Sequence, residues 1–257
     1  MAQGHLLGTP LLLTTYERFG ELCQQLCRLP EPVAVEFANA QILTSRRHEA
    51  GYRRWTDAYD LFLPDGMPLV WCLNLKGARL PERVYGPTFM RKCLQTIPGR
   101  FTHYLLGGSP ECGARLRTAI QQWNPACQIV GAYHGMCQAD GLLEGDGEKR
   151  VLEEIARLSP DFIWVGLGTP KQDLWIYHHK SRIQRGLILS VGFAFDVNAG
   201  LKRDAPLWMQ RSGLNWAYRL LSEPRRLWKR NVRDSSLFLF YLLWDGIRGR
   251  AFRPPTK

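Results

Sequence analysis

The sequence predicts an α/β fold of the Rossmann-like kind, with a mostly parallel sheet, helices on both faces and a basic helical appendage at the C-terminus. Two observations lead to this prediction. Short apolar runs alternate with segments of helical periodicity, as in repeated strand–helix units. The apolar runs are also repeatedly followed by Gly, Asp or Asn, which would gather at the carboxyl edge of the sheet, where such folds bind ligands.

The individual elements follow from the same patterns. Six apolar runs predict strands at 33–37, 59–63, 101–106, 128–131, 161–166 and 187–191. The segments between them have the spacing of amphipathic helices near 39–49, 66–76, 110–123, 146–158 and 170–184. Beyond the last strand, the chain leaves the sheet near residue 204 and continues as two or three basic, aromatic helices.

The charge of the chain is concentrated at its C-terminal end. Residues 201–257 carry 13 Lys/Arg against four Asp/Glu, which is +9 of the formal net charge of +11. We therefore divide the chain into a core of residues 1–204 and a membrane-associating appendage of residues 205–257. Helical spacing places five cations of this appendage on one face: Arg225, Arg226, Lys229, Arg230 and Arg233. An anionic lipid surface, a nucleic acid or plain solvent are the three environments that suit such a face.

Length and composition fit an ordered globular protein, with 257 residues, 45% of them apolar and 22% charged. Every apolar stretch is shorter than the roughly 20 residues that cross a bilayer, and the N-terminus lacks the pattern of a secretory signal. The seven cysteines include no CxxC pair, which favours reduced thiols in a cytoplasm over a zinc site or a disulfide frame. We expect a cytoplasmic protein that lies peripherally on a membrane.

Three turns after predicted strands could carry chemistry. Asp65, in Pro64-Asp65-Gly66-Met67, is either a turn and N-cap residue or a general base held at the sheet edge. The segments Gly107-Gly108-Ser109 and Gly166-Leu167-Gly168 could offer backbone N–H groups to a phosphate, or could be tight connections. Both lack the third glycine of the GxGxxG pattern, so neither is a strong dinucleotide signal.

Patterns for metal binding and nucleophilic catalysis are weak. The sequence has no DxD, HxxxH or GxSxG motif, and the acidic segment 140–148 suits a solvated loop and helix start better than a metal site. We therefore expect neither a metal nor a cofactor. Arginine is then the residue type that could balance a diphosphate, because its planar fork is always charged and binds phosphate oxygens bidentately.

A series of motifs, in order along the chain, resembles a known family. They are Asn39, Pro64-Asp65-Gly66-Met67, Arg83-Val84-Tyr85-Gly86, Leu105-Leu106-Gly107-Gly108, Gly131-Ala132-Tyr133-His134-Gly135, and the segments 165–172, 191–196, 205–210, 213–220 and 223–226. Together they resemble the WecG/TagA/CpsF family of bacterial glycosyltransferases, glycosyltransferase family 26, over nearly the whole chain.

The resemblance implies an inverting, metal-independent transferase that moves a hexose from a UDP-sugar to a sugar on a polyprenyl diphosphate. Such an enzyme would work at the cytoplasmic face of the bacterial inner membrane, in cell-surface or exopolysaccharide synthesis. The resemblance makes Asp65 the catalytic base, with Arg83 and Gln172 as further catalytic residues that line the nucleotide-sugar site. It makes Asp196 a nucleoside contact and Arg219, Arg226 and Arg230 the cations over the diphosphate. The remaining expected substrate-binding residues are Asn39, Gly107, Gly108, His134, Gly135 and Gly168.

Two positions depart from the family pattern and bear on the donor sugar. Phe37 stands where many relatives have Thr, and Met136 follows His134-Gly135 where many have Tyr. The sequence around Asp65 and over 191–200 resembles exopolysaccharide-assembly members, which favours UDP-glucose, with UDP-N-acetylmannosamine as the alternative. The competing classes are a basic nucleic-acid-binding protein and a nucleotide-dependent oxidoreductase. The sequence contains no recognised nucleic-acid-binding module, so we expect no nucleic-acid partner. The sequence leaves open whether the chain forms a homo-oligomer.

Overall fold

The computed structural model describes the backbone of residues 1–134, 137–222 and 224–247, with the side chains of 225–227 and 229–232 outside the description. The strands, in chain order, are β1 (Gln3–Leu6), β2 (Thr9–Leu12), β3 (Val33–Ala38), β4 (Leu61–Pro64), β5 (Thr102–Gly107), β6 (Gln128–Tyr133), β7 (Phe162–Gly166) and β8 (Leu187–Ser190). The helices are α1 (Tyr16–Leu26), α2 (Ala40–His48), α3 (Ala50–Thr56), α4 (Met67–Leu75), α5 (Gly86–Thr96), α6 (Pro110–Trp123), α7 (Gly147–Leu158), α8 (Lys171–His179), α9 (Ala194–Asn198), α10 (Leu207–Arg211), α11 (Asn215–Ser222) and α12 (Pro224–Ile247).

The predicted α/β fold is confirmed. Six parallel strands form one sheet in the order β4-β3-β8-β7-β5-β6, and all six overlap the predicted strands. The central strands β7 and β8 are apolar on both faces because helices cover both sides of the sheet. One face packs on α1, α5, α6 and α9, and the other on α2, α3, α4, α7 and α8.

Several elements differ from the sequence prediction. The N-terminal residues form an antiparallel hairpin, β1–β2, that turns at Leu7 and Gly8, both with positive φ. The helix predicted at 39–49 continues after a break as α3, because Glu49 adopts an extended backbone between α2 and α3. Helices α1 and α5 were not predicted. The helix predicted at 170–184 ends earlier, since α8 stops at His179 and a single 3₁₀ turn follows over Lys180–Arg182.

The long helix α12 lies against α2. Phe238 is 4% exposed and belongs to the apolar cluster on that face of the sheet. Around it, Asp245 Oδ1 accepts a hydrogen bond from Arg47 Nη2 at 2.9 Å, and the Tyr241 hydroxyl lies 2.8 Å from His48 Nδ1. Helix α12 therefore packs on the core through a buried aromatic ring, an ion pair and a hydrogen bond. Of the described helices, none is both long and apolar enough to cross a membrane.

The packing of α12 on the core can be tested by measuring the free energy of unfolding of the protein. We expect Phe238→Ala to lower the free energy of unfolding by about 3–5 kcal/mol, because the truncated ring leaves a cavity between α12 and the core. Leu239→Ala is the matched control, since Leu239 is 60% exposed and should cost less than about 0.5 kcal/mol. Urea unfolding followed by circular dichroism measures both. Equal midpoints for the two variants would mean that α12 is not docked in solution.

Candidate active site

A polar cleft of about 280 Å³ opens at the carboxyl edge of the sheet, above β3, β8 and β7. Its position follows from the direction of the connections. After β3 the chain enters α2 on one face of the sheet, whereas after β8 it enters α9 on the other face. Loops that leave neighbouring strands toward opposite faces open a crevice between them, and this is where open α/β sheets bind ligands.

Six of the residues expected in the substrate site line this cleft: Asn39, Asp65, Gly168, Gln172, Asp196 and Arg219. Each stands at a strand end or in the first turns beyond it, apart from Arg219, which comes from α11. Asn39 also caps α2, because its Oδ1 accepts the Ile42 N–H at 3.1 Å. Gly168 has φ of +78°, a left-handed conformation that favours glycine, and open space where a side chain would stand.

Asp65 has the surroundings of a base that works near neutral pH. It follows β4, and its Oδ2 accepts the Gly86 N–H at 3.1 Å. Burial raises its pKa to about 6, and Arg83, the Gly86 N–H and Arg219 offset only part of that shift. A carboxyl with this pKa is mostly ionised at pH 7 yet is a stronger base than an ordinary aspartate.

Arg83 lies behind the cleft wall. It is 7% exposed, its guanidinium stands 4.0 Å from the centre of the Tyr85 ring, and its Nη2 donates to Gln210 Oε1 at 3.2 Å. Tyr85 itself lines the cleft, and its hydroxyl donates to Asp204 Oδ1 at 2.9 Å. Arg83 thus supports Tyr85 in the cleft wall and lowers the pKa of Asp65.

Positive charge borders the cleft on the side of α9 and α11. The Arg219 guanidinium lies 4.5 Å from the centre of the Phe193 ring, and Lys202 Nζ lies 5.5 Å from the same ring. Lys202 is also 3.5 Å from an Asp196 carboxylate oxygen. Cations held over an aromatic ring at the border of a cleft can bind a phosphate without changing position. The Arg226 and Arg230 side chains lie outside the described residues.

Four expected site residues of the described chain do not line the cleft: Arg83, which was expected to line the nucleotide-sugar site, and Gly107, Gly108 and His134. Gly107 and Gly108 follow β5, both with positive φ; a Cβ on Gly107 would stand 2.7 Å from the Gly166 backbone, and one on Gly108 would stand 3.1 Å from Cys112 Sγ. Close packing therefore explains both glycines. His134 is exposed at the end of the edge strand β6. Gly135 lies outside the described residues.

Several residues that line the cleft were not predicted from the sequence. Tyr85, Phe193, Lys202 and Glu36 were not named as site residues. Glu36 carried a usable signal, because it is the one charged residue within β3, an otherwise apolar strand. Phe193 and Lys202 carried none, since an aromatic ring and a lysine in loops have many ordinary roles.

The described residues contain no group of three His, Cys, Asp or Glu side chains placed to hold a metal ion. In the acidic segment 140–148, Glu148 has structural partners. It accepts the Leu143 N–H at 2.7 Å and the Trp175 Nε1–H at 2.9 Å, and it lies 2.6 Å from His179 Nε2. These contacts fasten the segment to α8, in agreement with a loop and helix start.

Comparison with known proteins identifies the family. The model of the Glycosyl transferase WecG/TagA/CpsF family matches residues 4–252. An N-acetylglucosaminyldiphosphoundecaprenol N-acetyl-beta-D-mannosaminyltransferase of Staphylococcus aureus (strain MRSA252) is 29% identical over 204 residues, covering 79% of this chain and 76% of the relative. The protein of the same description from Bacillus subtilis (strain 168) is 28% identical over 224 residues, covering 87% and 84%. Since the match spans the sheet, the cleft and the helices that border it, the chain belongs to the WecG/TagA/CpsF family and is a glycosyltransferase.

Proposed function

We propose that this protein is an inverting, metal-independent transferase that moves N-acetylmannosamine from UDP to a sugar carried on a polyprenyl diphosphate. The observation that carries the proposal is the pairing, in one cleft, of a base with a pKa of about 6, Asp65, and the cation Arg219. The two relatives are named for N-acetyl-beta-D-mannosaminyl transfer, which favours the alternative over UDP-glucose. Their names also include a diphosphoundecaprenol-linked sugar as acceptor, which supports the acceptor class.

The chemistry follows from the two groups. The Asp65 carboxylate takes the proton of the acceptor hydroxyl as that oxygen attacks the anomeric carbon from the face opposite UDP. The bond from the anomeric carbon to the diphosphate breaks, UDP leaves with the electron pair, and the configuration inverts. Arg219 stands where it can balance the negative charge that grows on the departing diphosphate. The protonated Asp65 then releases its proton to water.

Donor binding and turnover test this function. We expect UDP-N-acetylmannosamine and UDP to raise the melting temperature, with no shift from NAD or ADP-sugars, because a ligand stabilises only the fold that binds it. Transfer to a synthetic polyprenyl-diphosphate N-acetylglucosamine should continue in EDTA. Faster turnover of UDP-glucose would restore the donor first expected from the sequence, and rescue by Mg²⁺ or Mn²⁺ alone would contradict the metal-free mechanism. A shift with NAD and none with UDP would overturn the transferase proposal.

Arg83 offers a test of charge against shape. We expect Arg83→Lys to lower kcat/KM by about 10–100-fold, because an ammonium cannot stack on Tyr85 and donate to Gln210 as the planar fork does. The acid limb of the pH–rate profile should stay in place, since the positive charge is kept. Arg83→Gln should instead move that limb to higher pH, because Arg83 lowers the pKa of Asp65. If the acid limbs of the two variants coincide, Arg83 does not influence the pKa of Asp65.

We also propose that α10–α12 hold the enzyme on an anionic membrane surface at the cytoplasmic face of the inner membrane. On α12, Phe238, Tyr241 and Asp245 face the core. The apolar side chains of Leu239, Leu243 and Ile247, by contrast, are exposed. Trp208 and Trp216 of the preceding helices are exposed too. Exposed Leu, Ile and Trp beside a strongly basic segment suit the boundary between headgroups and acyl chains.

Liposome sedimentation tests the membrane proposal. We expect binding to phosphatidylglycerol-rich vesicles that weakens at high salt, because cations and anionic headgroups supply part of the attraction. Replacing Leu239 and Leu243 together by Gln should lower binding by about 10-fold or more, since both side chains would lose apolar burial in the lipid. Leu29→Gln is the matched control, because Leu29 is an exposed leucine outside the C-terminal helices. Equal binding by all three proteins would remove these leucines from the lipid contact.

A further inference from the structure

The floor of the cleft contains a buried carboxyl group with an unpaired oxygen. Glu36 lies within β3, is 1% exposed and lines the cleft, and its Oε2 has no hydrogen-bond partner among the described residues. Its strand neighbours Val35 and Phe37 are buried in the apolar core on the opposite face. A buried polar atom without a partner destabilises a fold, so one that also lines a cleft marks a place where a ligand can supply the partner.

A second unpaired oxygen lies in the same cleft. Gln172, in the first turn of α8, is 3% exposed, and its Oε1 likewise has no hydrogen-bond partner within the described part of the chain. The polar groups around Glu36 are otherwise satisfied. The Tyr59 hydroxyl lies 2.7 Å from both Asp173 Oδ1 and Ser190 Oγ, and the Tyr52 hydroxyl donates to Asp173 Oδ2 at 2.9 Å. The two unpaired oxygens thus stand out against neighbouring polar groups that have hydrogen-bond partners.

The protonation of Glu36 decides what the pair can bind. Burial raises the pKa of Glu36 well above its usual value, the nearby Asp173 carboxyl raises it further, and the hydroxyls of Tyr59 and Ser190 offset only part of the shift. The raised pKa favours the neutral acid, a form that can donate a hydrogen bond as well as accept one. Gln172 Oε1 can only accept. The floor thus offers one donor and one acceptor to a ligand.

We propose that Glu36 and Gln172 form the subsite for the acetamido group of the donor sugar, with Glu36 as a specificity-determining residue. The acetamido N–H would donate to Gln172 Oε1, and its carbonyl would accept from the Glu36 carboxyl. An acetamido group presents a donor and an acceptor on opposite sides, whereas a hydroxyl must serve both partners from one oxygen atom. The inference rests on the proposed function, because it assigns the place of the transferred sugar.

The neighbourhood of Asp65 supports this place. Glu36 and Asp65 line the same cleft, and the Asp65 charge is among the influences that raise the pKa of Glu36. The base must stand beside the anomeric carbon, and the 2-acetamido substituent is attached to the next ring carbon. The subsite therefore shares one cleft with the base, as the reaction requires.

Paired substitutions test the subsite. We expect Glu36→Met to lower kcat/KM for UDP-N-acetylmannosamine by about 10-fold or more, because the acetamido carbonyl then loses its donor. Turnover of UDP-glucose should change by less than about threefold, so the preference between donors narrows. UDP affinity, measured by calorimetry, should stay the same because UDP lacks the transferred sugar and its acetamido group. Glu36→Gln should keep most of the wild-type preference, since the amide nitrogen can still donate.

Stability distinguishes a binding role from a structural one. Replacing an unpaired buried acid by an apolar side chain of similar size should leave the melting temperature of the free protein unchanged or higher. Thr44→Val is the matched control, since Thr44 Oγ1 is also buried and unpartnered within the described residues but lies on α2, outside the residues that line the cleft. It should change neither donor preference nor donor affinity.

The outcomes separate the two proposals. An unchanged donor preference in Glu36→Met, with wild-type transfer intact, would overturn the Glu36 subsite alone. If Glu36→Met is too unstable to assay, equal binding of UDP-N-acetylmannosamine and UDP-glucose to the wild type would do the same. If the wild-type protein neither binds nor turns over any UDP-sugar, the proposed function fails first.

Discussion

Replacing Asp65 by Asn is expected to lower kcat by about 10²–10⁴-fold while UDP binds with unchanged affinity. An amide cannot take the proton of the acceptor hydroxyl, so the variant loses general-base catalysis but keeps the nucleotide contacts. The substituted amide still has an oxygen that can accept the Gly86 N–H, so the turn after β4 should be retained. Single-turnover kinetics with the lipid-linked acceptor, beside calorimetry with UDP, measure both quantities.

The pH dependence of the wild-type enzyme should report the same group. With a pKa of about 6, Asp65 is protonated and inactive below that value, so the rate should rise as pH increases through 6. A raised pKa also means that ionising Asp65 costs the folded state stability, which is lost as pH rises from about 3.8 to about 6. Asp65→Asn should therefore melt no lower than the wild type at pH 7.

Asp140→Asn is the matched control for Asp65. Asp140 is exposed and also accepts one backbone N–H, that of Leu142 at 3.0 Å, so its replacement tests the same chemical change outside the cleft. It should leave kcat and the pH profile as they are. Near-wild-type turnover in Asp65→Asn would reject the base, and a collapse of its melting temperature would make Asp65 a turn residue instead.

Removal of the Arg219 side chain should have the second largest effect. We expect Arg219→Ala to lower kcat by about 10²–10³-fold, because the diphosphate would leave without the cation that borders the cleft. The acid limb of the pH profile should also move to higher pH, since Arg219 is one of the charges that lower the pKa of Asp65. Two independent readouts, a rate and a pH midpoint, thus follow from one substitution.

Arg211→Ala provides the control for net charge. Arg211 is an exposed residue at the end of α10 and does not line the cleft, so its loss removes the same charge without touching the site. It should change kcat by less than about twofold. If Arg219→Ala and Arg211→Ala behave alike, the basic residues act only through the overall field of the protein, and the leaving group must be balanced elsewhere.

Much of the fold could be predicted because its signal is local. Strands of a sheet covered on both faces are continuous apolar runs, and this pattern located all six. The β1–β2 hairpin escaped because each strand has four residues, too few for a clear alternation. The packing of α12 against α2 was not predicted for another reason. Composition marks a basic, aromatic helix but does not tell which of its apolar side chains, Phe238 or Leu239, faces the core.

The candidate site was predictable at the strand ends that border the cleft, including that of the edge strand β4. Asp65 and Gln172 follow strands beside or within the β3–β8–β7 group and line the cleft. Gly107, Gly108 and His134 follow β5 and β6 in the same manner along the chain, yet those strands lie toward the far edge of the sheet. The order of strands is a property of long-range pairing, which no local motif records. Glu36 was missed because it lies within a strand rather than at its end.

Helix α2 joins two regions that are far apart in the sequence. Asn39, Gln41 and Ile42 at its beginning line the cleft, and Arg47 and His48 at its end hold α12. A nine-residue helix is a stiff rod about 13 Å long, so its two ends move together. A displacement of α12 would therefore be transmitted along α2 to the residues that line the cleft.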